Sequence, residues 1–225
     1  MNCSFVNSKK LIVSSILVII IIGSLTLFAY NSENTAMQNA ARMGMKSTAG
    51  VMATQLSPVD LTGLKPGDEG SLQYNAVAQK LRTMRSMDDH ILNAYILKVN
   101  PDQTVTFLVD DLYPDDPQGS AKIGEISTAP KNDILLALSG PTVSNEPYTT
   151  KYGSFMTAYA PIDDALQGST GNTYAVLAID VSAKDYQNYT SQGGIILLTG
   201  FISMVLAVGA IFWFGGSRRD DEKKA

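Results

Sequence analysis

The sequence predicts an α+β protein: a folded middle built on an antiparallel sheet, held between two membrane-crossing helices. Three observations carry this expectation. Leu11–Tyr30 and Gly193–Gly216 contain no charged residue. At ~1.5 Å per residue each is long enough to cross the ~30 Å hydrocarbon layer of a bilayer. Between them the apolar period is first helical and then switches to alternation in ILNAYILKV and TVTFLVD. The alternating runs come in pairs joined by turn sequences, which makes consecutive antiparallel strands the simplest pairing.

Neither apolar stretch shows an amphipathic period, so burial in lipid is expected for both, with the bilayer itself as a partner. The first could instead be a cleaved signal peptide with Lys9 and Lys10 as its basic region. Its run exceeds the ~7–15 residues of such a segment, and a cut after Ala29 would place Leu27 where a small residue is wanted. An uncleaved anchor is therefore expected. Lys9 and Lys10 precede the first stretch, and Arg218, Arg219, Lys223 and Lys224 follow the second. By the positive-inside rule, residues 1–10 and 217–225 are cytoplasmic, 11–30 and 193–216 span the cell membrane, and 31–192 are extracytoplasmic.

The 31–192 stretch holds 11 Lys and Arg against 18 Asp and Glu, a formal charge of −7. That balance disfavours nucleic acid as a partner and flat adhesion to anionic lipid. The one cysteine, Cys3, lies on the expected cytoplasmic side, where it is a free thiol or a lipidation site. The outer stretch thus has no disulfide, and at this length it can bury enough apolar surface without one. Asn188-Tyr189-Thr190 forms a glycosylation sequon on the outer side.

Along the chain, Met37, Ala41, Met45, Met52 and Leu56 recur at nearly helical spacing, ended by Pro58. They predict a long helix continuing out of the first span. Its narrow stripe suits packing either on its own domain or on a second copy, as a homodimer. Gly44 and Gly50 weaken that helix by ~1 kcal/mol each relative to Ala. DLTGLKPGDEG reads as a loop. Tyr74, Val77, Ala78, Leu81, Met84 and Met87 then mark a second amphipathic helix with Ser71 as its cap. A hairpin follows over Ile91–Asp110, turning at NPDQ, and then a surface excursion, DDLYPDDPQGSAKIGEIS. A short helix over Lys131–Ser139 is stopped by Gly140. Strands over Ser154–Ala160 and Thr173–Asp180, joined by a polar turn, precede a last short helix from Ser182. Helices on one face of the sheet leave the other face for the excursion to cover, with room for a pocket.

Three phrases, AYILKVNPDQTVTFLVDD, SNEPYTTKYGSFMTAYAPIDD and AVLAIDVSA, stand in this order over about residues 31–190. In wording, order and spacing they resemble the Cache family of extracytoplasmic sensor domains, a PAS-like fold also called PDC, with room for a single unit. The resemblance implies a PAS-like antiparallel sheet behind a long N-terminal helix, with a small ligand held between the sheet and its overlying loops. It also implies that Tyr148, in EPYT, is the pocket tyrosine after the short helix. Asp180, closing AVLAID, would be the last-strand aspartate that binds a ligand amine in amino-acid sensors. Those sensors carry an Arg-x-Trp-Tyr phrase that holds the ligand carboxylate. The corresponding STAPKNDILLAL has neither Arg nor Trp, so an amino acid held in that way is not expected.

Tyr95, Asp110, Tyr148, Tyr159 and Asp180 are the ligand-binding candidates. Tyrosine offers an apolar face and one hydroxyl, suited to a cleft with few polar contacts. Asp180 shares its strand face with Tyr174, Val176 and Ala178. A carboxylate buried there needs a partner: a ligand cation, a backbone turn or a nearby Lys. Asp110, Asp111, Asp115 and Asp116 cluster around Tyr113 and Pro114 without EF-hand spacing, and no metal is expected. His90, the sole histidine, follows Asp88 and Asp89, but the sequence has no G-x-S-x-G elbow, P-loop, dinucleotide fingerprint or zinc pattern. Neither an enzyme nor a cofactor is expected. Ser203 and Ala207 form a small-xxx-small step in the second span.

The expected function is a membrane-anchored sensor module that binds a small solute and relays the signal to an output partner in the membrane. SRRDDEKKA, after the second span, is too short to fold, so the signal passes laterally or the chain is a truncated receptor. The alternative is a structural or adaptor subunit whose outer domain binds another protein.

Overall fold

In the computed structural model a first helix, α1, runs unbroken over Cys3–Ala53. Residues 3–162, 175–191 and 193–222 are described, with side chains over 9–162, 175–191 and 193–213. The chain divides into two units, Met1–Gln38 with Thr190–Ala225, and Asn39–Tyr189.

The first unit holds the N-terminal part of α1 and the helix α6, Gly194–Glu222. Lys9–Ala53 and Ala183–Trp213 are long and apolar enough to cross a membrane, with most-apolar windows of mean hydropathy 2.8 and 2.6. Apolar side chains such as Ile20, Phe28 and Phe201 stand exposed. That pattern is costly in water and natural in lipid. The two helices run antiparallel: Gly23 faces Met204, Thr26 faces Gly200, and Tyr30 faces Gly193. Gly200 is the tightest approach, because a Cβ there would collide with Thr26. Among the glycines of this pair, the closest approach therefore falls at Gly200.

The second unit is a sheet with helices on both faces. It comprises α2 (Pro58–Leu61), α3 (Leu72–Arg85), β1 (Ile91–Val99), β2 (Val105–Asp110), α4 (Lys131–Ala137), β3 (Thr142–Val143), β4 (Tyr148–Thr150), β5 (Gly153–Ile162), β6 (Ala175–Ser182) and α5 (Ala183–Thr190). All strand pairs are antiparallel. The order is β2-β1-β6-β5-β3, with β4 also paired to β5. The last strand therefore lies in the middle, between the two hairpin halves, and carries Asp180 to the centre of the sheet.

One face packs on helices. Ala49, Met52 and Ala53 at the end of α1, with Leu56, Leu61, Tyr74, Val77, Ala78 and Leu81, close over Ala94, Ile96, Met156, Leu177 and Ile179. Each large aliphatic side chain buried there contributes about 1.5–3 kcal/mol. Met45, Met52 and Leu56 of the expected α1 stripe are thus used by the chain's own core. On the other face Tyr95, Leu97, Phe107, Tyr159, Val176 and Ala178 pack with Ile134 and Ala137 of α4. The expectation of helices on one face alone is corrected by α4.

Several boundaries differ for local reasons. Pro58 opens α2, after Ser57 whose hydroxyl accepts from the Val59 amide. Proline fits the first turn of a helix because its missing N–H has no partner there anyway. Ser71 caps α3 as expected, accepting from the Tyr74 amide at 3.2 Å. Met87 lies beyond the end of α3 and is exposed. The short strands β3 and β4 were not expected; two or three residues show no period. The expected strand residues Thr173 and Tyr174, and the polar turn before them, lie outside the described residues.

Candidate functional site

The excursion after β2 is fixed by backbone bonds to that strand's free edge. Phe107 N–H donates to Glu125 O at 2.9 Å, Gly124 N–H to Phe107 O at 2.9 Å, and Ser127 N–H to Val105 O at 2.9 Å. The segment therefore continues the β2 edge, with Ile123 in the core on the α3 face and Ala121 in the core on the other, and Gly119 and residues 125–129 line a cavity on that other face. Together with the β4–β5 turn they enclose a volume of about 100 Å³.

Four of the five candidates line this cavity: Tyr95 on β1, Asp110 at the end of β2, Tyr148 on β4 and Asp180 on β6. Tyr159, on β5, is fully buried behind them, and its hydroxyl lies 3.0 Å from that of Tyr148. The register explains the grouping. Asn93 and Thr157 flank Asp180 on the neighbouring strands, and Tyr95 and Tyr159 flank Ala178 one pleat on. The small side chain at Ala178 leaves space between two rings.

Asp180 is 3% exposed. Its Oδ1 accepts from Thr157 Oγ1 at 2.6 Å and from Tyr95 Oη at 3.1 Å, and its Oδ2 from Asn93 Nδ2 at 3.4 Å. An ionised carboxylate only accepts, so it sets the direction of the hydroxyl chain. Thr157 donates to Asp180 and accepts from Tyr148 at 2.7 Å. Among the described residues, no Lys or Arg pairs with Asp180. Burial accordingly pushes its carboxyl up to about 6, against the pull of the Thr157, Asn93 and Tyr95 donors. Burial likewise pushes the Tyr148 hydroxyl up to about 12, and the Asp180 charge adds to the effect. The Tyr95 and Tyr159 hydroxyls are raised by burial as well.

Asp110 is also raised to about 6 by burial. Its oxygens accept from the amides of Leu112 at 3.0 Å and Ala121 at 2.8 Å. A carboxylate has about four acceptor sites, so roughly one on Asp180 and two on Asp110 are left open by the described residues. The rest of the acidic cluster is engaged in folding the excursion. Asp111 pairs with Arg85 at 2.5 Å, Asp115 with Arg82 at 3.2 Å, and Asp116 accepts from the Gly119 amide at 2.9 Å.

Aromatic rings form part of the remaining wall, beside Ile126, Ser127, Thr128 and Ala129. Phe107 lies 5.2 Å from Tyr95 and 6.2 Å from Tyr152 between ring centroids, and Phe155 completes the ring. Glu125 accepts from Tyr152 Oη at 2.5 Å and pairs with Lys151 at 3.0 Å. Those two bonds outweigh partial burial and hold Glu125 below its ordinary value. Among the lining residues three carboxylates, Asp110, Glu125 and Asp180, stand against one base, Lys151.

Sequence reasoning missed Asn93, Thr157, Phe107, Glu125, Lys151, Tyr152 and Phe155. A signal existed for two of them: Asn93 and Thr157 each stand two residues before a nominated tyrosine, on the same face of the same strand. His90 lies in a separate groove with Met45, Ile179 and Tyr186. Its backbone N–H donates to Asp88 Oδ1 at 3.0 Å, which is a turn interaction.

No protein-family model matches the chain, and no curated protein matches it. Among solved structures it is similar to the E. coli DcuS sensor domain, at 16% identity and a TM-score of 0.46, covering 68% of this chain and 97% of that one. It is similar to the periplasmic domain of RsbU from Chlamydia trachomatis, at 11% identity and a TM-score of 0.43, covering 76% of this chain and 58% of that one. A structure of Methyl-accepting Chemotaxis protein X is similar at 11% identity and a TM-score of 0.37, covering 73% of this chain and 66% of that one.

Proposed function

We propose that Asn39–Tyr189 is the extracytoplasmic sensor of a two-pass membrane protein, and that its cavity binds a small solute bearing a cationic nitrogen. The observation that carries this reading is Asp180: a cavity-lining carboxylate, 3% exposed, with three neutral donors and, among the described residues, no Lys or Arg paired with it. A buried carboxylate with spare acceptor sites is stabilised by a counter-charge. Asp110 adds to the negative field. The rings of Tyr95, Phe107, Tyr148, Tyr152 and Phe155 offer the π faces that attract an ammonium group. Tyr159 acts behind the wall, holding the Tyr148 hydroxyl. The Cache resemblance of the sequence supports the same reading.

In this account residues 11–30 and 193–216 span the membrane, 1–10 and 217–225 are cytoplasmic, and 31–192 lie outside. Occupation of the cavity biases the arrangement of α1 and β6, the two elements whose chains continue into the spans, and a partner in the membrane reads the change. A coupling of ~1–3 kcal/mol suffices for a usable response.

The test is thermal unfolding of the full chain in nanodiscs at pH 7.5, with the series from methylammonium to tetramethylammonium and, separately, sodium acetate and succinate. A member of the ammonium series is expected to raise the melting temperature by ~5 °C or more at saturating concentration, and Asp180→Asn to abolish the rise. A rise with the carboxylates alone, or one that survives in Asp180→Asn, would sink the proposal.

A further inference from the structure

Arg42, on α1, reaches a strand-flanking segment about a hundred residues away. Its Nη1 donates to Ser144 O at 2.7 Å and to Asn145 O at 3.0 Å, and its Nη2 to Val143 O at 3.3 Å. Three consecutive carbonyls thus converge on one guanidinium, whose planar fork suits such a set and whose charge strengthens each bond. Ser15, Thr26 and Thr35, also on α1, hydrogen-bond within the helix.

The segment that Arg42 holds is bonded on its inner side to the cavity wall. Ser144 N–H donates to Thr157 O at 2.8 Å. Thr157 N–H donates back to Ser144 Oγ at 3.0 Å, and that hydroxyl donates to Met156 Sδ at 3.4 Å. Thr157 Oγ1 then donates to Asp180 Oδ1 at 2.6 Å. Ser144 and Thr157 are both fully buried, so no bond in this series has water as a ready substitute. From its far side the segment is fastened by Asp133 of α4, buried at 4% exposure, which accepts from Asn145 N–H at 3.3 Å and Asn145 Nδ2 at 3.2 Å.

We infer that Arg42 is a positioning residue that couples the cavity to α1, through Ser144 and Thr157 to Asp180. The inference rests on the proposed function in taking the cavity as the input. A solute that takes an oxygen of Asp180 competes with the Thr157 hydroxyl. Thr157 is β-branched, with few χ1 states, so its response is a change of rotamer and not a gradual drift. Any backbone shift at Thr157 is passed by the paired bonds to Ser144, and from its carbonyl to the guanidinium. The contacts of α1 with the core of the sheet unit, at Met45, Ala49, Met52 and Ala53, are apolar and non-directional. Arg42 therefore supplies the directional link. By reciprocity, whatever α1 does to Arg42 is felt at Asp180.

Hydrogen–deuterium exchange of the full chain in nanodiscs tests this without any ligand, using Asp180→Asn as the perturbation at the cavity. In the wild-type background Asp180→Asn is expected to change exchange of amides 39–53 by about tenfold, together with amides 154–160. In an Arg42→Gln background the 154–160 response should persist and the 39–53 response should fall below about twofold. An equal response of 39–53 in both backgrounds overturns the inference. So does a wild-type response confined to 154–160, or none in either segment. If Arg42→Gln fails to fold, Arg42→Lys keeps the charge but not the fork, and the same criteria apply. Failure of every solute to bind would sink the proposed function and leave this result standing, so the two failures are separable.

Discussion

Replacing Asp180 by Asn removes the charge and keeps the shape, and the structure fixes what should follow. In the folded chain the carboxyl has an ordinary value of 3.8 pushed up to about 6, chiefly by burial. That gap is worth about 3 kcal/mol. The folded state binds this proton more tightly than the unfolded state, so the contribution to stability is fully present below about pH 4. It is lost as pH rises through about 6. Asp110 is displaced in the same direction by burial, so the wild-type protein loses stability from both groups. The difference between wild type and Asp180→Asn isolates one of them. Relative to wild type, the variant should gain about 2 kcal/mol between pH 4 and pH 7.5, with most of the gain between pH 4 and 6. The Asn amide can donate to the Thr157 and Tyr95 oxygens once those hydroxyls rotate, so the offset at pH 4 is expected to be small. Guanidinium unfolding of the full chain in micelles at pH 4, 5, 6 and 7.5, followed by circular dichroism, measures this. A difference constant to about 0.5 kcal/mol would refute the reasoning. A difference that shrinks with pH would show that the site stabilises the ionised carboxylate, the opposite of what burial without a cationic partner requires.

Three further outcomes follow from other parts of the molecule. Arg85→Ala leaves the fully buried Asp111 carboxylate without its 2.5 Å partner and should cost about 3 kcal/mol by the same unfolding assay; a cost under about 1 kcal/mol would contradict the pairing. Gly153 has φ +144° where β4 turns into β5, and an added Cβ would meet the Phe155 ring at 2.7 Å. Gly153→Ala should therefore cost about 1–3 kcal/mol and disturb the cavity wall; a neutral effect on unfolding would contradict that geometry. In the apolar pair, Gly200→Leu should reduce disulfide formation between Gly23→Cys and Met204→Cys, in a Cys3→Ser background, by about tenfold, and an unchanged yield would contradict the packing.

The parts of the fold with a strong local period were legible in the sequence. Ser71, with the apolar residues of α3, marked a helix end, and ILNAYILKV with TVTFLVD marked a hairpin, because capping and alternation are local properties. Strand order was not legible. Asp180 sits mid-sheet only because β6 inserts between β1 and β5, a long-range pairing that no short window contains. The same limit explains the site. Tyr95 could be nominated by residue type, and Tyr148 and Asp180 by the Cache resemblance as well, but Asn93 and Thr157 acquire their role only from the register that places them either side of Asp180. Of the acidic cluster, only the fold shows that Asp110 faces the cavity while Asp111 and Asp115 pair with Arg85 and Arg82 of α3.

Titration calorimetry of the full chain with the methylammonium-to-tetramethylammonium series, at pH 7.5 and at pH 5, tests the account at its centre. The cavity is proposed to take a cation because Asp180 is ionised above about pH 6. Affinity should therefore be about tenfold weaker at pH 5 than at pH 7.5, and should be lost in Asp180→Asn at both. Equal affinity at the two pH values, or binding unaffected by the substitution, would place the solute elsewhere and contradict the account.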